Sequence, residues 1–172
     1  PLGVYFLAVE YLIRRIPSTY AEKRAYLDSH ASEIEVLVLG NSHSLAGVDP
    51  TMFERHVLNA ANSAQSIKYD RIILESSLPR LVNLGVVIMN ISSFSLCFEM
   101  ENSEGDWRKY NYFRLYEHED ISLRERLSIR ANVRVLMYAS SGRRAEERIL
   151  QHYKGNQMIT DRGHRIQLSD LG

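Results

Sequence analysis

Ser42 is the side chain whose setting points most directly to chemistry. Residues 35–48 read Glu-Val-Leu-Val-Leu-Gly-Asn-Ser-His-Ser-Leu-Ala-Gly-Val, so an apolar run, Val36 to Leu39, breaks at Gly40 into a short polar cluster. Such a run predicts a buried strand that delivers Ser42 onto a tight loop at its C-terminal end, the edge where open α/β sheets form ligand sites. A serine hydroxyl is a weak nucleophile on its own. It needs a base to take its proton, and N–H donors to hold the oxyanion formed when it attacks a carbonyl. Gly40 lets the chain turn without a Cβ, Asn41 is expected to fix the loop by bonding backbone groups, and Ser42 can offer its own N–H. His43 follows directly and could bond substrate or steady the turn, although the base of a triad normally arrives from another segment. Ser44 reads as a loop residue and Leu45 as packing inward. The surroundings fit neither a Gly-x-Ser-x-Gly elbow nor a phosphate loop, because no Gly-Lys-Ser/Thr and no Gly-x-Gly-x-x-Gly occurs.

The elements that must position this loop are legible as alternating patterns. Ser18-Thr19 predicts the cap of a charged helix running to about His30, followed by the strand at 35–39. Asp49-Pro50 predicts a short helix over Thr51–Arg55, and His56 to Asn59 a second strand. Residues 63–78 carry an apolar stripe, Ile67, Ile72, Leu74 and Leu78, stopped by Pro79 and the turn at Asn83-Leu84-Gly85. Val86 to Ile91 is a third strand, nearly all apolar, as suits a parallel strand covered on both faces. Strand, helix, strand, helix, strand within about 60 residues predicts an α/β domain, doubly wound, with a mostly parallel sheet and helices on both faces in three layers. Residues 99–120 are polar and aromatic (Trp107, Tyr110, Tyr112, Phe113, Tyr116). They read either as a lid that could touch sugar rings or as a loop with its own small cluster. Residues 121–139 and 143–153 read as two helices.

Composition narrows the partners. Lys+Arg and Asp+Glu balance at 21 each, so no basic surface argues for nucleic acid. The single cysteine, Cys97, excludes an internal disulfide framework, and its neighbours Phe94, Leu96 and Phe98 predict a buried thiol. The six histidines lack ligand spacing, so no metal is expected, and no cofactor motif is present. Residues 1–16 form an apolar helix, broken only by Glu10 before Arg14-Arg15. It reads either as the end of a membrane anchor, with Tyr5 and Tyr11 near the interface, or as an amphipathic helix docked on the domain. Residues 17–172 then form the α/β domain. The tail 167–172 ends without a closing element, and the chain reads as the N-terminal part of such a domain.

Val-Leu-Gly-Asn-Ser-His at 38–43 resembles the first block of the SGNH (GDSL-like) hydrolases, in which the nucleophilic serine follows Gly-Asp or Gly-Asn after the first strand. The second block, roughly Asn-x-Gly-x-x-Gly, would be Asn59-Ala60-Ala61-Asn62-Ser63-Ala64, with alanine at both glycine positions. The resemblance makes the N–H of Ala61 or Ala64 a candidate oxyanion donor, and Asn62 a side-chain donor or a plain turn asparagine. The third block, Gly-x-Asn-Asp, is unmatched: Asn90-Ile91-Ser92-Ser93 occupies its place, with Ser92 where the oxyanion asparagine would be. This pattern looks similar to the membrane-anchored branch that acts on acylated cell-envelope polysaccharides, and the likeness covers about residues 10–98. It implies a flavodoxin-like three-layer fold.

The resemblance also implies an Asp-x-x-His that supplies the base and its orienter. One such string occurs, Asp161-Arg162-Gly163-His164. Its polar, glycine-containing setting also suits an exposed turn, and only three strands precede it. The acid and base are otherwise expected beyond Gly172. Two functions follow as expectations. One is a serine esterase or O-acyltransferase of the cell envelope with Ser42 as nucleophile. The other is a non-catalytic envelope protein that kept the fold and binds or positions polysaccharide.

Overall fold

The computed structural model describes residues 2–16, 18–103, 106–117, 121–136, 145, 149–150, 158–159 and 165–166. The chain is α/β. Its centre is a three-stranded parallel sheet in the order β2-β1-β3, made of β1 (Val36–Leu39), β2 (Val57–Asn59) and β3 (Val86–Met89). Val36 pairs with Val57 on one side and with Val86 on the other. Parallel neighbours put the loops after all three strands along one edge of the sheet.

Side-chain alternation sorts β1 onto two faces. Leu37 and Leu39, with Leu58 and Ala60, join the larger core. That core is closed by α2 (Thr19–His30) through Leu27, by α4 (Ile67–Ser77) through Tyr69, Ile72 and Ile73, and by α6 (Lys109–Leu115) through Tyr110, Tyr112 and Phe113. Val36, Val38 and Val57 face the other way into a small cluster with Val48 and Ile88. The helix starts follow their caps: Ser18 Oγ accepts the Ala21 N–H at 3.2 Å, and Asp49 Oδ1 accepts the Thr51 N–H at 2.9 Å. After Asp49 the chain makes only a single 3-10 turn, Pro50–Met52, shorter than the helix expected to Arg55.

Further expectations are corrected. The apolar run of β3 predicts burial on both faces, yet Val86 is 43% and Val87 39% exposed, because β3 is an outer strand paired only with β1 among the described residues. Cys97 is exposed rather than buried. It ends a five-residue surface helix, α5 (Ser93–Cys97), which turns Ser95 inward and leaves Leu96 outside. The stripe at 121–139 is broken into short helical pieces, α7 (Leu123–Arg126), α8 (Ile129–Asn132) and helical residues 134–136, and Ser122 and Ser128 each accept an N–H three residues on and start α7 and α8. Residues 99–120 are neither a lid nor a loop with its own cluster: 109–115 form helix α6, and its aromatic residues pack into the main core. The predicted helix over 143–153 lies almost wholly outside the described residues.

Helix α1 (Leu2–Arg15) docks by its C-terminal half, where Val9, Glu10, Ile13 and Ile16 are buried. Leu2, Val4, Tyr5 and Leu7 are exposed. Among the described residues no helix is long and apolar enough to cross a membrane.

Candidate functional site

Gly40 closes β1 with φ +121°, a region that L side chains rarely adopt. A Cβ there would lie 2.7 Å from Ser44 Oγ and 3.6 Å from the Asn90 nitrogen, so glycine is required on both counts. Its N–H donates to buried Asp70 Oδ1 at 2.8 Å. Next, Asn41 caps α3 (Ser42–Gly47): Oδ1 accepts the His43 N–H at 3.0 Å and the main-chain carbonyl accepts the Leu45 N–H at 3.0 Å. Its Nδ2 donates to Ser95 Oγ at 3.4 Å, tying this loop to the one after β3. Ser42 is the first residue of α3 and is exposed, and its hydroxyl has no partner among the described residues. His43 is also exposed, while Ser44 and Leu45 turn inward.

The loop after β2 is stitched to the first. Asn59 Nδ2 donates to the carbonyls of Ser44 and Val48, both at 2.9 Å, and Asn59 Oδ1 accepts the Ala61 N–H at 3.1 Å. Buried Lys23 donates to the Ala61 carbonyl. The Asn62 N–H donates to the Gly40 carbonyl at 3.2 Å, and its amide nitrogen donates to the Ala60 carbonyl (3.2 Å) and Gln65 Oε1 (3.1 Å). Ala61 and Asn62 are therefore structural pins here. With their N–H groups engaged and both residues buried, neither offers an oxyanion donor in this arrangement. Nor does Gly40, whose N–H belongs to Asp70.

Ala64 differs. At φ +55° it is the non-glycine residue in the left-handed region among those described, at a position where the resemblance has glycine. Holding alanine there costs on the order of 1–2 kcal/mol. The N–H groups of Ala64 and Ser42 have no partner among the described residues.

Ser92 caps α5: its Oγ accepts the Ser95 N–H at 3.2 Å while Ser95 Oγ accepts the Ser92 N–H at 3.3 Å. A hydroxyl holding a helix start is a poor substitute for an oxyanion amide. Asp161 and His164 lie outside the described residues. The two residues after His164, Arg165–Ile166, form β5, antiparallel to β4 (Met158–Ile159), and β5 runs beside α3. No group of three or more His, Cys, Asp or Glu among the described residues could hold a metal ion. A shallow depression of about 390 Å³ lined by Cys97, Phe98, Glu99, Asn102 and Ser103 includes none of the candidate residues.

Sequence reasoning missed Asp70 and Gln65. Gln65 Nε2 donates to Asp70 Oδ1 at 2.6 Å, and Tyr112 donates its hydroxyl to Gln65 Oε1 at 2.6 Å. Burial drives the Asp70 carboxyl above the usual carboxylate range, against the opposing pull of the Gln65 and Gly40 donors. Burial likewise lifts the Tyr112 phenol well above its ordinary range, which keeps it a proton donor. The available signal was a carboxylate one residue after Tyr69 on the inward stripe of α4. Compared with family models, curated proteins and solved structures, the chain gives no significant match.

Proposed function

We propose that this chain carries the nucleophile of an SGNH-type esterase or O-acyltransferase acting on acylated cell-envelope polysaccharide, within a three-layer domain of that type. The observation that carries the reading is Ser42 itself: exposed, unbonded among the described residues, and set at the start of α3 directly after the middle strand of a parallel sheet. Two unengaged N–H groups, of Ser42 and Ala64, support an oxyanion role. In the reaction, Ser42 Oγ bonds to the acyl carbon as a base takes its proton. The ester C–O bond then breaks and the sugar oxygen leaves with a proton. Water or a second sugar hydroxyl next attacks the acyl-enzyme and releases Ser42. Asp161 and His164 are the candidates for orienter and base.

An envelope location is part of the proposal. Leu2, Val4, Tyr5 and Leu7 offer lipid an apolar helix end, while the one acid of this stretch, Glu10, is turned into the domain. The engagement of Ala61, Asn62 and Ser92 favours the second reading, a polysaccharide-binding protein without chemistry.

Acetate release from an O-acetylated polysaccharide separates the two. The esterase reading expects release by the wild type and its loss, by about 10³-fold or more, in Ser42→Ala. Retention on the polysaccharide with no release, unchanged by Ser42→Ala, supports the binding reading.

A further inference from the structure

We infer that Asp70 and Gln65 are positioning residues for Ser42, the two central links of a buried polar chain that holds the turn at Gly40 and Asn41, directly before Ser42, from beneath. The inference rests on the reading of Ser42 as a nucleophile, and it adds a mechanism for how that serine is held.

The chain begins in α6 and ends at the loop. Tyr112, stacked on Tyr69 with ring centroids 4.3 Å apart and set edge-on to Tyr20 at 5.3 Å, donates to Gln65 Oε1. Gln65 passes the link through Nε2 to Asp70 Oδ1, which also accepts the Gly40 N–H. A side branch closes a ring: Gln65 Oε1 accepts from Asn62, whose own N–H holds the Gly40 carbonyl. Gly40 is thus gripped at both its N–H and its C=O, two residues before Ser42. Asp70 is 2% and Gln65 3% exposed, so water does not compete for these bonds.

Two physical facts turn this grip into a functional claim. Gly40 sits at φ +121°, a conformation the chain alone does not prefer, so its neighbours must hold it. Ser42 itself has no side-chain partner among the described residues, so its direction is inherited from the backbone at 40–41. A displacement of about 1 Å in a reacting group can cost up to about 100-fold in rate.

The test uses the full chain and two readouts: hydrogen exchange of the Gly40 amide by NMR, and the rate of Ser42 phosphonylation by a fluorophosphonate. Asp70→Ala is expected to speed Gly40 exchange and to slow labelling at least tenfold. Asp70→Asn keeps a carbonyl oxygen for the same two donors and is expected to restore both. Tyr112→Phe removes a single hydroxyl at the far end of the chain while keeping the ring stack, and is expected to slow labelling severalfold in a folded protein, so the claim does not depend on Asp70→Ala folding. Gly40 exchange unchanged in Asp70→Ala overturns the anchor. Faster exchange with unchanged labelling overturns the positioning role. A wild type that is not labelled overturns the nucleophile reading and this role with it, while the exchange arm still decides whether the anchor exists.

Discussion

Glu10 and Arg134 brace helix α1 from opposite directions. The Glu10 carboxylate accepts the N–H groups of Arg134 (3.1 Å) and Val135 (2.9 Å), and the Arg134 guanidinium donates to the carbonyls of Ile13 (3.0 Å) and Ile16 (2.9 Å) at the helix end. Arg14 adds a bond to Glu10 at 2.6 Å and another to the Asn132 carbonyl at 2.7 Å. Carbonyls left open at a helix C-terminus are thereby satisfied by a cation, with the favourable sign for the helix dipole. Glu10→Ala strands two part-buried N–H donors and is expected to cost about 1–3 kcal/mol in urea unfolding.

The same clamp sets a pH dependence. Burial works against the Glu10 charge, but the N–H of Val135, the Arg14 guanidinium and the N–H of Arg134 outweigh it and hold the carboxyl below its usual range. In the unfolded chain it titrates at about 4.3. Its contribution to stability is therefore complete above that value and is lost as pH falls through the lower folded value. Asp28 acts in the same sense: partial burial opposes its charge, and Arg80 and Arg24 outweigh that and hold its carboxyl low. Thermal unfolding followed from neutral into strongly acid solution should show a steep acid loss in the wild type and a shallower one in Glu10→Gln.

At the site, Gly40→Ala must place a Cβ in a strained conformation and against Ser44 Oγ. A loss of about 1–3 kcal/mol is expected. Gly47, at the end of α3, has nothing within 4 Å of where an added methyl would sit, so Gly47→Ala is expected to be neutral or slightly stabilising and serves as the control in the same denaturation series.

The two ends of α1 should behave differently. Replacing Leu2, Val4 and Leu7 together by serine touches only exposed positions and is expected to change stability by about 0.5 kcal/mol or less while abolishing co-sedimentation with lipid vesicles. Ile13→Ala opens the docked side, where Ile13 is fully buried, and is expected to cost about 2–5 kcal/mol. Co-sedimentation unaffected by the triple change would remove the membrane from the account.

What the sequence disclosed depended on the range of the interaction. Val36–Leu39, the Ser18 and Asp49 caps and the Gly40 break are local, and each sits where the residues imply. The exposure of β3 is not legible because a run of valines does not say whether a strand is central or at the edge. The restart at Ser128 was hidden within a continuous apolar stripe. Asn41 was legible as a loop-fixing residue because its partner, the His43 N–H, lies two positions away. Asp70 was not, since it meets Gly40 across thirty residues and only the packing of α4 on the sheet brings them together. Block position alone makes Ala61 and Asn62 candidate donors. Asn59 and Gln65 engage them instead, which no spacing rule reveals.

The most direct measurement is intact-mass and peptide analysis of the full chain after exposure to a fluorophosphonate, with Ser42→Ala alongside. The account predicts a single phosphonyl adduct on the Ser42 peptide of the wild type and none on the variant. An unlabelled wild type, or equal labelling of both proteins, would contradict Ser42 as an activated nucleophile.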